Sequence, residues 1–244
     1  MIKRVSSVMI LLLIAVLALS ACGVLSEPEA QSAPIEAVPL EESTDSEEAM
    51  IEEEPTVDDE PIEEVSAAVI YTISPDGSAV RFELDEDLRG ERITVVGETD
   101  QVAGELSIDL NNLGDTQVGV MQINARGFTT DNNFRNRAIQ NKILNTGNFE
   151  FITFEPTAVN GLPDAAAVGD TVEFTIDGNL TVTDQTQPAT FNVTATVTSE
   201  DQLTGTATAV ITQSDFGINI PSVQNVANVE EEIELYIDFT ANAS

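Results

Sequence analysis

The chain has 244 residues, with 43 acidic and 9 basic side chains, no histidine, one cysteine and a formal charge of −34. So acidic a polymer repels nucleic acid, whose binding needs clustered Lys and Arg, and no polynucleotide partner is expected. Without histidine the commonest general base and zinc ligand are both missing, and one cysteine allows no internal disulfide. No metal centre and no cofactor are therefore expected.

The N-terminus carries Lys3 and Arg4, an apolar run from Val8 to Leu19, and then Leu19-Ser20-Ala21-Cys22. A charged head, an apolar core and small residues before a cut describe a secretory signal over residues 1–21. The apolar run is shorter than the ~20 residues of a spanning helix. Cys22 directly after Leu-Ser-Ala resembles the lipobox of bacterial lipoproteins. That resemblance implies a diacylglycerol on the Cys22 thiol, which anchors an exported chain to a membrane of the cell envelope. The mature chain then has 43 acidic against 7 basic residues.

From Gly23 to Glu64 there are 16 acidic residues, no basic or aromatic ones, and five of the ten prolines. Such a segment cannot bury enough apolar surface to offset chain entropy. Residues 22–66 are expected to form a disordered, self-repelling linker.

Residues 67–244 change texture and are long enough for one domain with a sizeable core. Period-two alternation runs through Val80–Leu84, Leu106–Leu110, Val172–Val182, Phe191–Val197, Ala207–Ile211 and Ile233–Phe239. This is the pattern of antiparallel strands with one dry face and one wet face. Turns are expected at Asn111–Asp115, at Asp184–Pro188 between strands ending at Thr183 and starting near Ala189, and at Ser199–Gln202. Gly178 inside a regular strand predicts a bend or bulge. Residues 132–143 break the alternation. Phe134, Ala138, Ile139 and Ile143 recur at helical spacing, with Asp131 as N-cap and Gly147 past the end. The expected fold is all-β: a closed antiparallel barrel of about eight strands with one short helix.

Four segments, in order, resemble the YceI-like family. They are Tyr71-Thr72-Ile73-Ser74-Pro75-Asp76-Gly77-Ser78, Thr130–Phe154, Gly178–Phe191, and Gln213-Ser214-Asp215-Phe216-Gly217-Ile218. The family's histidine before the serine is Gly77 here, its Arg-Asp pair reads Arg135-Asn136, and the basic residue before Asp-Phe-Gly is missing. The resemblance implies a lipocalin-like barrel whose channel holds an isoprenoid-type lipid, quinone-like or polyprenyl. The channel-lining residues would be Phe82, Leu84, Phe154, Phe174, Ile176, Leu180, Phe191, Val193, Ala207, Ala209, Phe216 and Phe239. Small side chains at Ala207 and Ala209 would leave room along one wall. Arg135 and Arg137 near the helix N-terminus are the candidates for a phosphate headgroup. If they pair with local carboxylates instead, an uncharged lipid fits better.

No nucleophile elbow, phosphate-binding loop or cysteine nucleophile with a base is present, and an enzyme is not expected. The alternative to a lipid carrier or buffer is a structural or adhesive surface module with a solid core and a protein partner. A homodimer stays open.

Overall fold

Apolar side chains at every second position turn one face of each strand inward, and in the computed structural model this face lines the inside of a curled sheet. The structure describes residues 27–40 and 68–244. Among these, the strands are β1 (Val69–Ile73), β2 (Ala79–Leu88), β3 (Glu91–Thr99), β4 (Val102–Ala103), β5 (Glu105–Ile108), β6 (Gln117–Val118) and β7 (Met121–Asn124). They continue as β8 (Phe151–Asn160), β9 (Thr171–Val182), β10 (Gln185–Ser199), β11 (Gln202–Thr212), β12 (Val226–Ala227) and β13 (Glu232–Ala243).

The sheet order is β4-β7-β8-β9-β10-β11-β13-β1-β5-β6, with β2 joined to β13, β3 and β12. All pairings are antiparallel. The ring closes because β4 and β5 are two halves of one stretch broken at Gly104. One half pairs with β7 and the other with β1. The amide of Ile73 donates to the Gly104 carbonyl at 2.9 Å across this seam. At the other end of the barrel, β2 and β3 take the place of β1, and an isolated Glu98–Thr129 bridge ties β3 to the loop after β7. The strands around that end are β7, β8, β9, β10, β11, β13, β2 and β3. The expected antiparallel barrel of about eight strands is what forms.

Local details differ from expectation for identifiable reasons. The β9–β10 hairpin turns through Thr183 and Asp184 alone, with Thr183 at φ +57°. Gln185 to Pro188 thus belong to the strand rather than the turn. Pro188 is tolerated because β10 pairs with β11 only from Asn192 onward, so the missing N–H faces no ladder. The bulge expected at Gly178 lies opposite it, on β8, where the register slips between Pro156 and Ala158. Gly178 stays in register because the Phe154 ring covers it, 2.6 Å from where a β-carbon would stand.

The α-helix is shorter than its pattern predicts and ends in a wider turn. Helix α1 covers Asn133–Ala138, and a π turn over Ile139–Ile143 follows. Its N-cap is Asn132, not Asp131: the Asn132 side-chain oxygen accepts from the Phe134 and Arg135 amides at 2.9 and 3.3 Å. Asn145 at φ +47°, rather than Gly147, takes the left-handed position after it.

Residues 27–40, part of the expected linker, lie along the barrel seam without helix or strand hydrogen bonding. At one end the Arg126 guanidinium donates to the Ala30 carbonyl at 2.8 Å and to Glu29 at 3.0 Å, and the Ser32 amide donates to Glu150 at 2.8 Å. At the other end the Leu40 amide donates to Glu105 at 2.9 Å. The signal segment, Cys22 and the remainder of residues 22–66 lie outside the described residues.

Candidate ligand cavity

Inward positions along β2 run Val80, Phe82, Leu84, Glu86 and Leu88, and all five border an internal cavity of about 460 Å3. Opposite walls come from Phe154 on β8, Leu180 and Val182 on β9, Phe191 on β10, Ile211 on β11, and Ile233, Leu235 and Ile237 on β13. Several inward side chains, including Phe82, Leu235 and Ile237, are only half-buried although they sit among buried neighbours. A hollow interior explains this, since a closed core would bury them fully.

The cavity lies at one end of the barrel. Its mouth is formed by α1, by the loop carrying Ile218, Ile220, Pro221 and Val223, and by the end of β2 at Leu88. Phe134 on α1 is 69% exposed and Val223 is 51% exposed, so both stand at the lip. The other end is plugged. There Tyr71, Val197, Leu203 and Ala241 are buried, and the Tyr71 hydroxyl donates to the Glu200 carbonyl at 2.6 Å. Burial pushes the Tyr71 hydroxyl pKa up, and the nearby Asp201 and Glu200 carboxylates add to the rise.

The twelve side chains expected to line a channel therefore divide. Phe82, Leu84, Phe154, Leu180 and Phe191 face the cavity. Ile176, Val193, Ala207 and Ala209 are buried but do not border it, nor do the half-buried Phe174 and Phe239. The room beside the alanines is taken up: Ala207 stands opposite Val193 and Ile237 in register. Next along the same strands, the Phe239 ring covers Gly205. Phe216 is buried on a 3-10 turn, Gln213–Phe216, that packs against β10, and it does not reach the cavity. Phe154 and Phe191 meet edge to face at 4.9 Å, and Phe82 and Phe128 do so at 5.4 Å.

Glu86 is a cavity residue that the sequence did not single out. It occupies the inward series of β2, is 6% exposed, and its carboxylate pairs with the Arg135 guanidinium at 3.0 Å. Arg135 also contacts Asp131 at 2.5 Å. Its even-numbered place after Leu84 was the available signal. Of the two expected headgroup residues, Arg135 borders the cavity with its charge balanced by two carboxylates, and Arg137 does not border it. Asn136, where the family motif has aspartate, accepts from the Thr130 amide at 2.7 Å and the Thr130 hydroxyl at 2.6 Å, fixing the loop before α1. Gly77, where the motif has histidine, sits at φ +90°, a backbone that L side chains rarely adopt.

A sequence model of the YceI-like domain matches residues 71–241. This chain belongs to the YceI-like family. Its fold is shared with a polyisoprenoid binding domain from Saccharophagus degradans implicated in plant cell wall breakdown, at TM-score 0.58 and 11% identity, over 72% of this chain and 99% of that one. It is also shared with BcnA from Burkholderia cenocepacia, at TM-score 0.55 and 16% identity, over 70% and 99%. The YceI protein of Campylobacter jejuni aligns at TM-score 0.51 and 14% identity, over 61% and 84%. No curated protein matches the chain in sequence. The YceI-like barrel is a binding fold, and here its cavity is apolar with a balanced ion pair at the rim.

Proposed function

We propose that this YceI-like protein is a lipid-anchored carrier or buffer that holds an isoprenoid-type lipid in its barrel at the cell envelope. The observation that carries this reading is the cavity: about 460 Å3, walled by Phe, Leu, Ile and Val from nine strands and open at one end. That volume falls within the range of small-molecule sites. Each methylene of a prenyl tail buried there contributes about 0.8 kcal/mol, so affinity needs no polar anchor. The anchor itself is the lipobox-like Cys22, and export follows from the signal-like segment before it.

The rim favours an uncharged head. Arg135 is already neutralised by Glu86 and Asp131, so a phosphate would have to displace a carboxylate to reach it. A quinone-like ring needs no such exchange. Binding also accounts for the side chains present better than catalysis does, since the cavity's ionisable groups, Arg81, Glu86 and Arg135, are all held in ion pairs. Among the described residues no group of His, Cys, Asp and Glu is placed to hold a metal ion.

Native mass spectrometry of the chain after mild extraction tests the reading. A carrier co-purifies with a lipid of several hundred daltons that organic solvent removes. A chain that emerges bare and takes up neither a quinone nor a polyprenol would instead be a structural module.

A further inference from the structure

The strap at residues 27–40 fixes where the chain leaves the barrel. Glu29 is held by Arg126, whose guanidinium also donates to the Thr146 carbonyl at 2.9 Å. Thr146 directly follows the turn that places Ile143 and Leu144 on the cavity wall. The strap therefore ends beside the lip of the mouth, while Leu40 lies down the seam at Glu105. Six residues, and so seven steps along the chain, separate Glu29 from Cys22. They reach at most about 25 Å. The barrel is longer than that: the 12 residues of β9 run about 40 Å along the strand, about 30 Å along the axis of a barrel at the usual tilt.

The lip brings exposed apolar side chains together with cations that make no ion pair. Phe134 and Val223 project at 69% and 51% exposure beside Pro221 and Ile220. Arg81, Arg92, Arg126 and Arg135 are each paired with carboxylates. Among the described residues Arg89, Arg137 and Lys142 make no ion pair, and all three lie at this end: Arg89 after Leu88, the other two on α1 and its π turn. A phospholipid surface offers both apolar depth for the first set and phosphates for the second.

We propose that the open end of the barrel is a bilayer-docking surface: the docked strap holds the mouth against the membrane, with Phe134 and Val223 entering the interface. This rests on the lipid-anchor reading of Cys22. A docked mouth lets an apolar ligand pass between bilayer and cavity without crossing water. The residues beyond Leu40 follow the strap in sequence and so do not stand between the barrel and its anchor.

The chain contains no tryptophan, so a single indole reports position. Phe134→Trp places one at the lip, and Val168→Trp places one in the exposed β8–β9 loop at the plugged end. The acylated full chain is reconstituted in phosphatidylethanolamine–phosphatidylglycerol vesicles with brominated acyl chains. Docking predicts a blue shift and severalfold quenching for Phe134→Trp, and neither for Val168→Trp. Adding Glu29→Arg, which repels Arg126, should remove that quenching while the chain still sediments with vesicles. Quenching that survives Glu29→Arg overturns the proposal, because ligand uptake alone would leave it untouched. Equal, unquenched emission from both positions in a sedimenting chain overturns the docking and leaves the anchor standing. A chain that does not sediment overturns the anchor and the docking together.

Discussion

The ring of Phe82 on β2 lies across Gly97 on β3, its cross-strand partner, in the place a β-carbon would occupy. Phe239 over Gly205 repeats the arrangement, and Phe154 covers Gly178 diagonally. Large rings folded flat onto bare backbone leave the barrel's centre open, which is how an interior rich in phenylalanine still holds a cavity.

Gly97→Ala should drive the Phe82 ring off the wall and into the cavity. Because the ring has space to enter, the cost in stability stays near the low end of overpacking, about 1 kcal/mol. Bound lipid should be lost. Denaturant unfolding and lipid content, measured on one preparation, check both halves; retained lipid would mean that the ring moves elsewhere.

Glu86→Gln removes one of the two carboxylates on Arg135 and leaves its guanidinium facing the cavity. Affinity for an anionic ligand, such as a fatty acid or a polyprenyl phosphate, should rise about tenfold, the ~1.5 kcal/mol of a charge-assisted hydrogen bond. A quinone should bind as before. Competition between the two ligand types measures the change, and an unaltered ratio would remove the ion pair from any part in selectivity.

Enlarged side chains should distinguish cavity from core. Leu235→Phe adds volume to a half-buried cavity wall, so it should expel ligand with little loss of stability. Ala207→Phe adds volume at a buried position that does not border the cavity, and should destabilise by about 1–3 kcal/mol. Thermal melts with and without added lipid separate these outcomes.

Glu150 ties the strap to pH. Burial pushes its carboxyl pKa up, but hydrogen bonds from Ser32 and Asn124 and the charge of Arg126 outweigh this and hold it below the usual range. A carboxyl with a depressed folded-state pKa adds stability above its unfolded value, and that stability disappears as pH falls through the folded value. Protection of residues 27–40 against hydrogen exchange, corrected for the intrinsic rate at each pH, should therefore be high at neutral pH and fall as pH drops below the ordinary carboxylate range. Glu150→Gln should loosen the strap at neutral pH and flatten the response. Protection that ignores pH in the unaltered chain would dissociate Glu150 from strap docking.

Much of the barrel was legible because its signals are local. Val172 to Val182 alternates over a whole strand, and Ser199–Gln202 turns where its residue types predict. Errors arose where neighbours in space overrode local chemistry. Asp131 was a sound N-cap by type, but it pairs with Arg135 through its carboxylate while Asn132 takes the cap. Asp184–Pro188 had turn composition, yet a proline at an unpaired strand edge costs nothing, and the turn closed at Asp184, four residues earlier.

Alternation alone determined that this chain forms strands, which side chains point inward, and that those strands pair antiparallel around a common interior; a period of two is written residue by residue. It could not determine at what height along the barrel the inward side chains leave space. That depends on how strands far apart in sequence are staggered, so that Ala207 meets filled core while Phe82, Leu180 and Leu235 meet a void. Nor could it reveal that Glu86 finds Arg135, or that Glu29 finds Arg126. Those pairs span 49 and 97 positions, and only closure of the sheet brings them within 3.0 Å.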